Sequence, residues 1–221
     1  MLRNHGSKIG SILPIVLLFC LMLPAAKALA GKGDAIIRRV QSRFKSLNGL
    51  SVRFEVRYGV VGEDDTFEEA GRFQLDGQGR FRMETPRQTL VCDGSTFWTY
   101  DPLERQVLIY GADEKNGLFL TPSQLLYEYP VKYRVEEVKE ELLSGRICDV
   151  LLMVPRDETD PTRMLKVWVD RDDNLTRRFL IEDLVGNITI FDFEAFELNL
   201  KLPDETFHFV PPENAEVIDM R

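Results

Sequence analysis

The chain has 221 residues, of which 44 % are hydrophobic, and a formal net charge of −8. This length suits a single domain with a substantial core. The acidic balance disfavours nucleic acid and anionic membrane surfaces as partners, because both repel a negatively charged chain.

The first thirty residues have the pattern of a secretory signal peptide. Arg3 and Lys8 precede an apolar run over residues 9–23, and the segment ends with Ala28-Leu29-Ala30. The run is shorter than the roughly 20 residues of a membrane-spanning helix, so cleavage after Ala30 is favoured over an uncleaved anchor. Residues 31–221 are then expected to form one exported domain, with 25 basic and 36 acidic side chains and a net charge of −11.

An amphipathic helix and a half-buried strand are predicted next. Asp34 is a candidate N-cap, and Asn48-Gly49 ends the helix. The apolar stripe of this helix comprises Ile36, Ile37, Val40, Phe44 and Leu47. Apolar and polar residues then alternate over residues 50–58, which predicts a strand with one buried face and one solvated face.

Short strand-like runs follow at intervals too short for parallel crossovers, which predicts an antiparallel meander. These runs are residues 69–76, 80–85, 89–92, 96–100 and 106–110. Asp93-Gly94 tolerates the positive φ of a tight turn and predicts a hairpin between the third and fourth runs.

A second helix interrupts the strands. Thr121-Pro122-Ser123-Gln124 has the pattern of a capping box with proline at the first helical position, and Pro130 ends this short helix. An apolar helix in this position could cover a concave sheet face. Further strands are predicted at residues 132–138, 147–154, 164–170, 175–183, 187–198 and 206–210. Without a linker or a tandem repeat, one continuous sheet is favoured over two domains.

Few side chains suggest catalysis or metal binding. His208 is the only histidine after residue 30, and its place between Phe207 and Phe209 predicts an outward-facing surface residue. Because a histidine-rich metal site is excluded and no nucleophile motif is present, neither an enzyme nor a cofactor is expected. Asp170, Asp172 and Asn174 match the start of a calcium loop, but Leu175 replaces its glycine, so a charged hairpin turn is favoured.

Two cysteines remain after residue 30, Cys92 and Cys148. In an oxidising compartment they could form a disulfide that contributes about 4 kcal/mol. Both lie in apolar strand-like runs, where buried thiols are common, so both alternatives stay open.

Large apolar side chains recur on the predicted inward faces of the strands. The candidate ligand-binding residues are Phe54, Phe73, Leu75, Phe81, Met83, Trp98, Tyr100, Phe191 and Phe193. One interpretation is a sheet that packs on its own helices. The other is a sheet that curls under a helical lid and admits an acyl chain between them.

Several segments together resemble the periplasmic outer-membrane lipoprotein carrier family, LolA. They include Gly71 in the second strand, Val91-Cys92-Asp93-Gly94, Trp98-x-Tyr100-Asp101-Pro102 and the late Phe207-His208-Phe209-Val210-Pro211-Pro212. No single motif is diagnostic, but their order and spacing make the resemblance fairly specific over nearly the whole of residues 31–221.

The resemblance implies a mainly β, α+β fold: an incomplete antiparallel β-barrel wrapped around a helical lid with an apolar cavity. It also implies a monomeric periplasmic carrier that takes acylated lipoproteins from an inner-membrane lipoprotein-releasing transporter to an outer-membrane receptor. Phe81 matches an aromatic residue at the cavity mouth. Members often carry Arg-Pro in the turn before that strand, where this chain has Asp76-Gly77-Gln78-Gly79.

Two other classes of function are considered. Envelope lipid-binding or stress-sensing regulators share this barrel, but they normally add a second domain. A secreted hydrolase is disfavoured by the single histidine of residues 31–221.

Overall fold

The computed structural model describes residues 23–60, 62, 66–111 and 121–221, with side chains from residue 31 onward. Most of the predicted signal peptide therefore lies outside the described residues. Helix α1 (Leu23–Lys45) leads into a sheet of twelve strands. The strands are β1 (Gly49–Val60), β2 (Phe67–Asp76), β3 (Phe81–Glu84), β4 (Thr89–Cys92), β5 (Thr96–Asp101), β6 (Gln106–Gly111), β7 (Tyr133–Leu143), β8 (Arg146–Pro155), β9 (Thr162–Asp170), β10 (Thr176–Asp183), β11 (Asn187–Leu198) and β12 (Glu216–Asp219).

The strand order in the sheet is β12-β6-β5-β4-β3-β2-β1-β11-β10-β9-β8-β7. All described pairings are antiparallel except that of β12 with β6. The order ends at β12 and β7, so the sheet is open. The β1–β11 register shifts between Val52 and Phe54, where β11 carries one extra residue, an irregularity of the kind that increases local twist. The predicted meander and single continuous sheet are confirmed.

One face of the sheet encloses α1 and a short helical segment, residues 122–131, which we call the lid. The apolar stripe of α1 is buried as predicted, and it packs in one cluster with buried inward side chains of nine strands and of the lid. The strand alternation explains this arrangement, since every second side chain points to the same face. The fold is thus the predicted incomplete barrel with a helical lid.

The opposite face carries two smaller apolar clusters. One comprises Val91, Val107 and Phe209, and Phe209 comes from the C-terminal segment that leads to β12. Cys148, Val150 and Trp168 form the other. Cys92 belongs to the main core, so the sheet separates the two cysteines.

Two predictions of local structure are wrong. Asp34 does not cap α1, because the helix already runs through the Ala-rich and Leu-containing residues 23–30, which are good helix formers. Residues 206–210 are not a strand: a 3₁₀ turn (Asp204–Phe207) precedes an unpaired extended stretch. The alternation there is nonetheless real, with exposed His208 between buried Phe207 and Phe209.

Candidate ligand-binding site

Seven of the nine candidate residues lie together in the main core, on the enclosed face of the sheet. They are Phe54, Phe73, Leu75, Phe81, Met83, Phe191 and Phe193. The β1–β2 and β1–β11 registers bring the aromatic members side by side. The adjacent strands of the sheet thus supply one continuous surface of aromatic rings, which we call the aromatic wall: Phe54, Phe73, Phe81, Phe191 and Phe193.

The prediction that Trp98 and Tyr100 line the cavity is wrong. Both lie on the outer face of β5, where their rings approach Phe209 with centroids 6.5 and 6.1 Å apart. Their neighbour Phe97 points inward instead and meets Phe81 at 6.0 Å. The register explains this, because Trp98 pairs with Val91 and Ile109 of the outer cluster.

The rings of the aromatic wall form a chain of contacts. Phe54 lies 5.9 Å from both Phe73 and Phe191, and Phe73 meets Phe193 edge-on at 6.0 Å. Phe191 and Phe193 stack at 6.3 Å. Such pairs add to area burial, but they tolerate rearrangement, since no hydrogen bond fixes the rings.

The lid packs apolar side chains into the same core as this wall. It comprises a first helical turn, a π-helical stretch (Gln124–Glu128) and a 3₁₀ turn (Tyr129–Val131). Leu125, Leu126 and Tyr129 are buried, and the Tyr129 ring meets Phe179 edge-on at 5.9 Å. The predicted capping box is confirmed: Thr121 N donates to Gln124 Oε1 (2.9 Å), and Gln124 N donates to Thr121 Oγ1 (3.3 Å).

A small number of polar contacts tie the lid to its surroundings. Thr176 Oγ1, on β10, donates to the carbonyl oxygen of Leu126 at 2.8 Å. Gln41 Nε2, on α1, donates to the carbonyl oxygen of Tyr127 at 3.3 Å, and the Tyr127 ring stacks on Phe44 at 5.4 Å. The lid is also short and irregular, and isolated helices of this length are marginal in water. Its closure therefore depends on these contacts.

A small cavity adjoins the lid in the described part of the molecule. A cavity of about 120 Å³ lies where the lid, α1 and the β1–β2 end of the sheet meet, lined by Phe44, Leu47, Leu50, Leu75, Tyr127 and the turn before β3. Sites for small organic ligands usually measure about 300–1,000 Å³. This cavity is therefore too small to hold an acyl chain.

Charge is distributed unevenly over the surface. From residue 31 onward, α1 carries five basic side chains and one acidic one, in a chain whose residues 31–221 have a net charge of −11. Its basic residues are Lys32, Arg38, Arg39, Arg43 and Lys45. Arg39 anchors the helix to the sheet by donating to Asn174 Oδ1 (3.0 Å) and Asp149 Oδ2 (3.2 Å). The outer face of α1 is thus a basic strip on an acidic protein.

The aspartates resembling a calcium loop lie in the β9–β10 turn, as predicted. Asp170 is fully buried there and accepts hydrogen bonds from Arg146 (2.7 Å) and Arg177 (3.1 Å). Burial acts to raise the pKa of Asp170, but hydrogen bonds from Asp172 N and the two guanidiniums outweigh it and lower the pKa. The arginines thus already neutralise this carboxylate.

The lid residue Tyr129 and the two β10 residues that contact the lid, Thr176 and Phe179, were not among the predicted site residues. Phe179 stands out in the sequence as an apolar residue of an alternating strand. Thr176 and Tyr129 have no local pattern that marks them, because their role depends on the lid's position over β10. No helix among the described residues is long and apolar enough to cross a membrane.

Comparison with known proteins places this geometry in a family context. Residues 45–210 match the family described as "Outer membrane lipoprotein carrier protein LolA". An outer-membrane lipoprotein carrier protein of Nitrosospira multiformis is 31 % identical over 176 residues, covering 77 % of this chain and 83 % of that protein.

Two other proteins are similar to this chain. An uncharacterized protein of Methanocaldococcus jannaschii is 25 % identical over 189 residues, covering 84 % of this chain but only 53 % of that relative, so the chain spans about half its length. The crystal structure of an uncharacterized conserved protein from Thermus thermophilus has a TM-score of 0.57 at 16 % identity, covering 85 % and 99 % of the two chains. That likeness concerns the fold.

Proposed function

Because the chain belongs to the LolA family of outer membrane lipoprotein carrier proteins, we propose that it shields lipoprotein acyl chains from water and shuttles them from the inner to the outer membrane. The family is one of carriers rather than of enzymes. The observation that carries the proposal is the aromatic wall enclosed under a short lid.

The energetics of an acyl chain make such an interior necessary. Burial of each methylene is worth about 0.8 kcal/mol, so roughly fifteen methylenes cost about 12 kcal/mol when exposed to water. Leu125, Leu126 and Tyr129 fill the interior in the structure, and they belong to a segment with few polar anchors. We therefore infer that the acyl chain replaces the leucine side chains of the lid against the aromatic wall.

Export to the periplasm is part of the proposal. We infer cleavage after Ala30, so that the mature protein begins at Gly31 and keeps the part of α1 that packs on the sheet. Ile36, Val40 and Phe44 all lie in this retained part. N-terminal sequencing of protein from the periplasmic fraction tests this, and an intact Met1 in the membrane fraction would contradict it.

The proposed partners are an inner-membrane lipoprotein-releasing transporter and an outer-membrane receptor. The acidic majority of the surface favours basic docking faces on both, and such contacts weaken with salt because exposed charges are screened beyond about 8 Å at physiological ionic strength. Changing Gly77 and Gln78 to Arg and Pro introduces the basic turn that family members often carry. Faster transfer of a labelled lipoprotein to receptor-bearing membranes is expected. Unchanged transfer, with docking indifferent to salt, would refute the electrostatic account.

Displacement of an apolar fluorophore tests the acyl site directly. The mature protein should release the fluorophore to an acylated lipopeptide but not to its deacylated form. Phe81→Glu should abolish uptake, since it places a charge in the wall at a cost of several kcal/mol. Leu103→Glu is the control, because Leu103 is exposed. Equal displacement by both peptides with the wild-type protein would rule out an acyl site, whether or not the Phe81 variant folds.

A further inference from the structure

The hydroxyl group of Tyr129 is buried without a hydrogen-bond partner among the described residues. The residue is 3 % exposed, and its Oη atom meets no donor or acceptor at bonding geometry. An unsatisfied buried polar group costs about 1–3 kcal/mol, and most such groups in proteins have a partner. A phenylalanine would fill the same space without this cost, so packing alone does not account for the hydroxyl.

Thr176 lies beside the phenol and acts to lower its pKa, but the two hydroxyls do not meet at hydrogen-bonding geometry. The Thr176 proton is donated to the carbonyl oxygen of Leu126, 2.8 Å away. Burial raises the pKa of Tyr129 far above its ordinary value, so the phenol keeps its proton and remains a donor.

A second tyrosine of the same region provides a contrast. The hydroxyl of Tyr133, at the start of β7, lies 3.0 Å from Thr162 Oγ1 and is hydrogen-bonded to it. Tyr133 is half-buried, whereas the fully buried Tyr129 belongs to the lid and its ring meets Phe179 in the main core. The unsatisfied hydroxyl of Tyr129 therefore lies on the buried side of the lid, where an acyl chain would enter.

We propose that the Tyr129 hydroxyl is a polar subsite that donates a hydrogen bond to the carbonyl oxygen of an ester- or amide-linked acyl chain. This inference rests on the proposed function and specifies its ligand: an acyl group with its carbonyl, rather than any hydrocarbon. The carbonyl end lies at the lid, two residues from Tyr127, which lines the small cavity. The hydrocarbon tail then runs along the aromatic wall.

The test compares two probes that differ in the carbonyl group. Methyl palmitate and heptadecane compete with an apolar fluorophore for the mature protein and for Tyr129→Phe. The variant should bind methyl palmitate about five- to tenfold more weakly, as expected for one buried hydrogen bond, and should bind heptadecane unchanged. Tyr133→Phe is the matched control and should leave both affinities unchanged. The thermal midpoint of Tyr129→Phe should not fall, because the variant removes only an unsatisfied group.

The outcomes separate this subsite from the function on which it rests. If the wild-type protein binds both probes and Tyr129→Phe weakens both equally or neither, the subsite is wrong and the carrier function stands. If the wild-type protein binds neither probe, the acyl site and the subsite are both wrong. A loss confined to the ester supports the hydrogen bond.

Discussion

Replacing Thr176 with valine should loosen the lid without disturbing the packing beneath it. Thr176 is fully buried, and its hydroxyl donates the 2.8 Å hydrogen bond to the lid carbonyl of Leu126. Valine has nearly the same shape, so the change removes this bond and leaves the sheet intact. In the closed state the Leu126 carbonyl loses a buried donor, whereas in an open state water satisfies it.

The expected size of the effect follows from that difference. Loss of one buried hydrogen bond costs about 0.5–1.5 kcal/mol, and leaving its acceptor unsatisfied costs about 1–3 kcal/mol. A shift of about 1.4 kcal/mol raises the open population about tenfold. Because Leu125 and Leu126 occupy the enclosed face while the lid is closed, we expect the apparent affinity and the association rate to rise by the same factor while the open state is rare.

Stopped-flow uptake of an apolar fluorophore measures the rate, and hydrogen exchange reports the lid. The amide of Leu125 is a suitable probe, since it donates to the carbonyl oxygen of Thr121 at 3.1 Å. Thr99→Val is the control, a buried core threonine on β5 outside the lid. Faster exchange at Leu125 with an unchanged uptake rate would show that the lid opens but does not control entry.

Three further outcomes are expected from other parts of the fold. Gly71→Ala should lower the free energy of unfolding by about 1–3 kcal/mol in urea titrations, because the added methyl group would overlap the Phe54 ring and lie 2.7 Å from a backbone oxygen. Gly77→Ala is the control: its added methyl group meets only ordinary contacts, so it should change the free energy of unfolding by less than about 0.5 kcal/mol. Because the pKa of Asp170 is lowered in the folded protein, its carboxylate stabilises the fold above about pH 4, and this stabilisation is lost as pH falls through the lowered pKa. Asp170→Asn should therefore flatten the acid side of a plot of urea midpoint against pH. An unchanged acid side would contradict the lowered pKa of Asp170. Trp98→Ala should destabilise the outer cluster by about 2 kcal/mol but leave fluorophore affinity unaltered, and a loss of affinity would return Trp98 to the site.

Local patterns predicted most of the strands because each strand satisfies its own two-residue period. The predictions for residues 89–92 and 187–198 match β4 and β11 residue for residue. The β12 strand was missed, since its parallel pairing with β6 joins segments about 110 residues apart and leaves no local trace. The error at residues 206–210 has the same origin: alternation reports two faces, whether or not a neighbouring strand pairs with them.

The same limit explains the errors at the candidate site. In β5, alternation separates Phe97 and Thr99 from Trp98 and Tyr100 but does not say which pair faces the core. The larger aromatics suggested Trp98 and Tyr100, yet the C-terminal segment supplies Phe209 to cover them outside. The lid was predicted from its capping box, whereas the contact of the Tyr129 ring with Phe179 and the hydrogen bond of Thr176 to Leu126 depend on the tertiary fold.

The strand order divides the sheet into two meanders, β1–β6 and β7–β11, joined along β1 and β11. Pairing within each meander is local, but the β1–β11 ladder joins residues 127 to 148 positions apart. Closing so long a loop carries an entropic cost before any contact compensates it, so we expect this ladder to form late in folding. The N-terminal meander can therefore form while the C-terminal one is still emerging, and until the ladder closes each half exposes the aromatic side chains that the finished fold encloses.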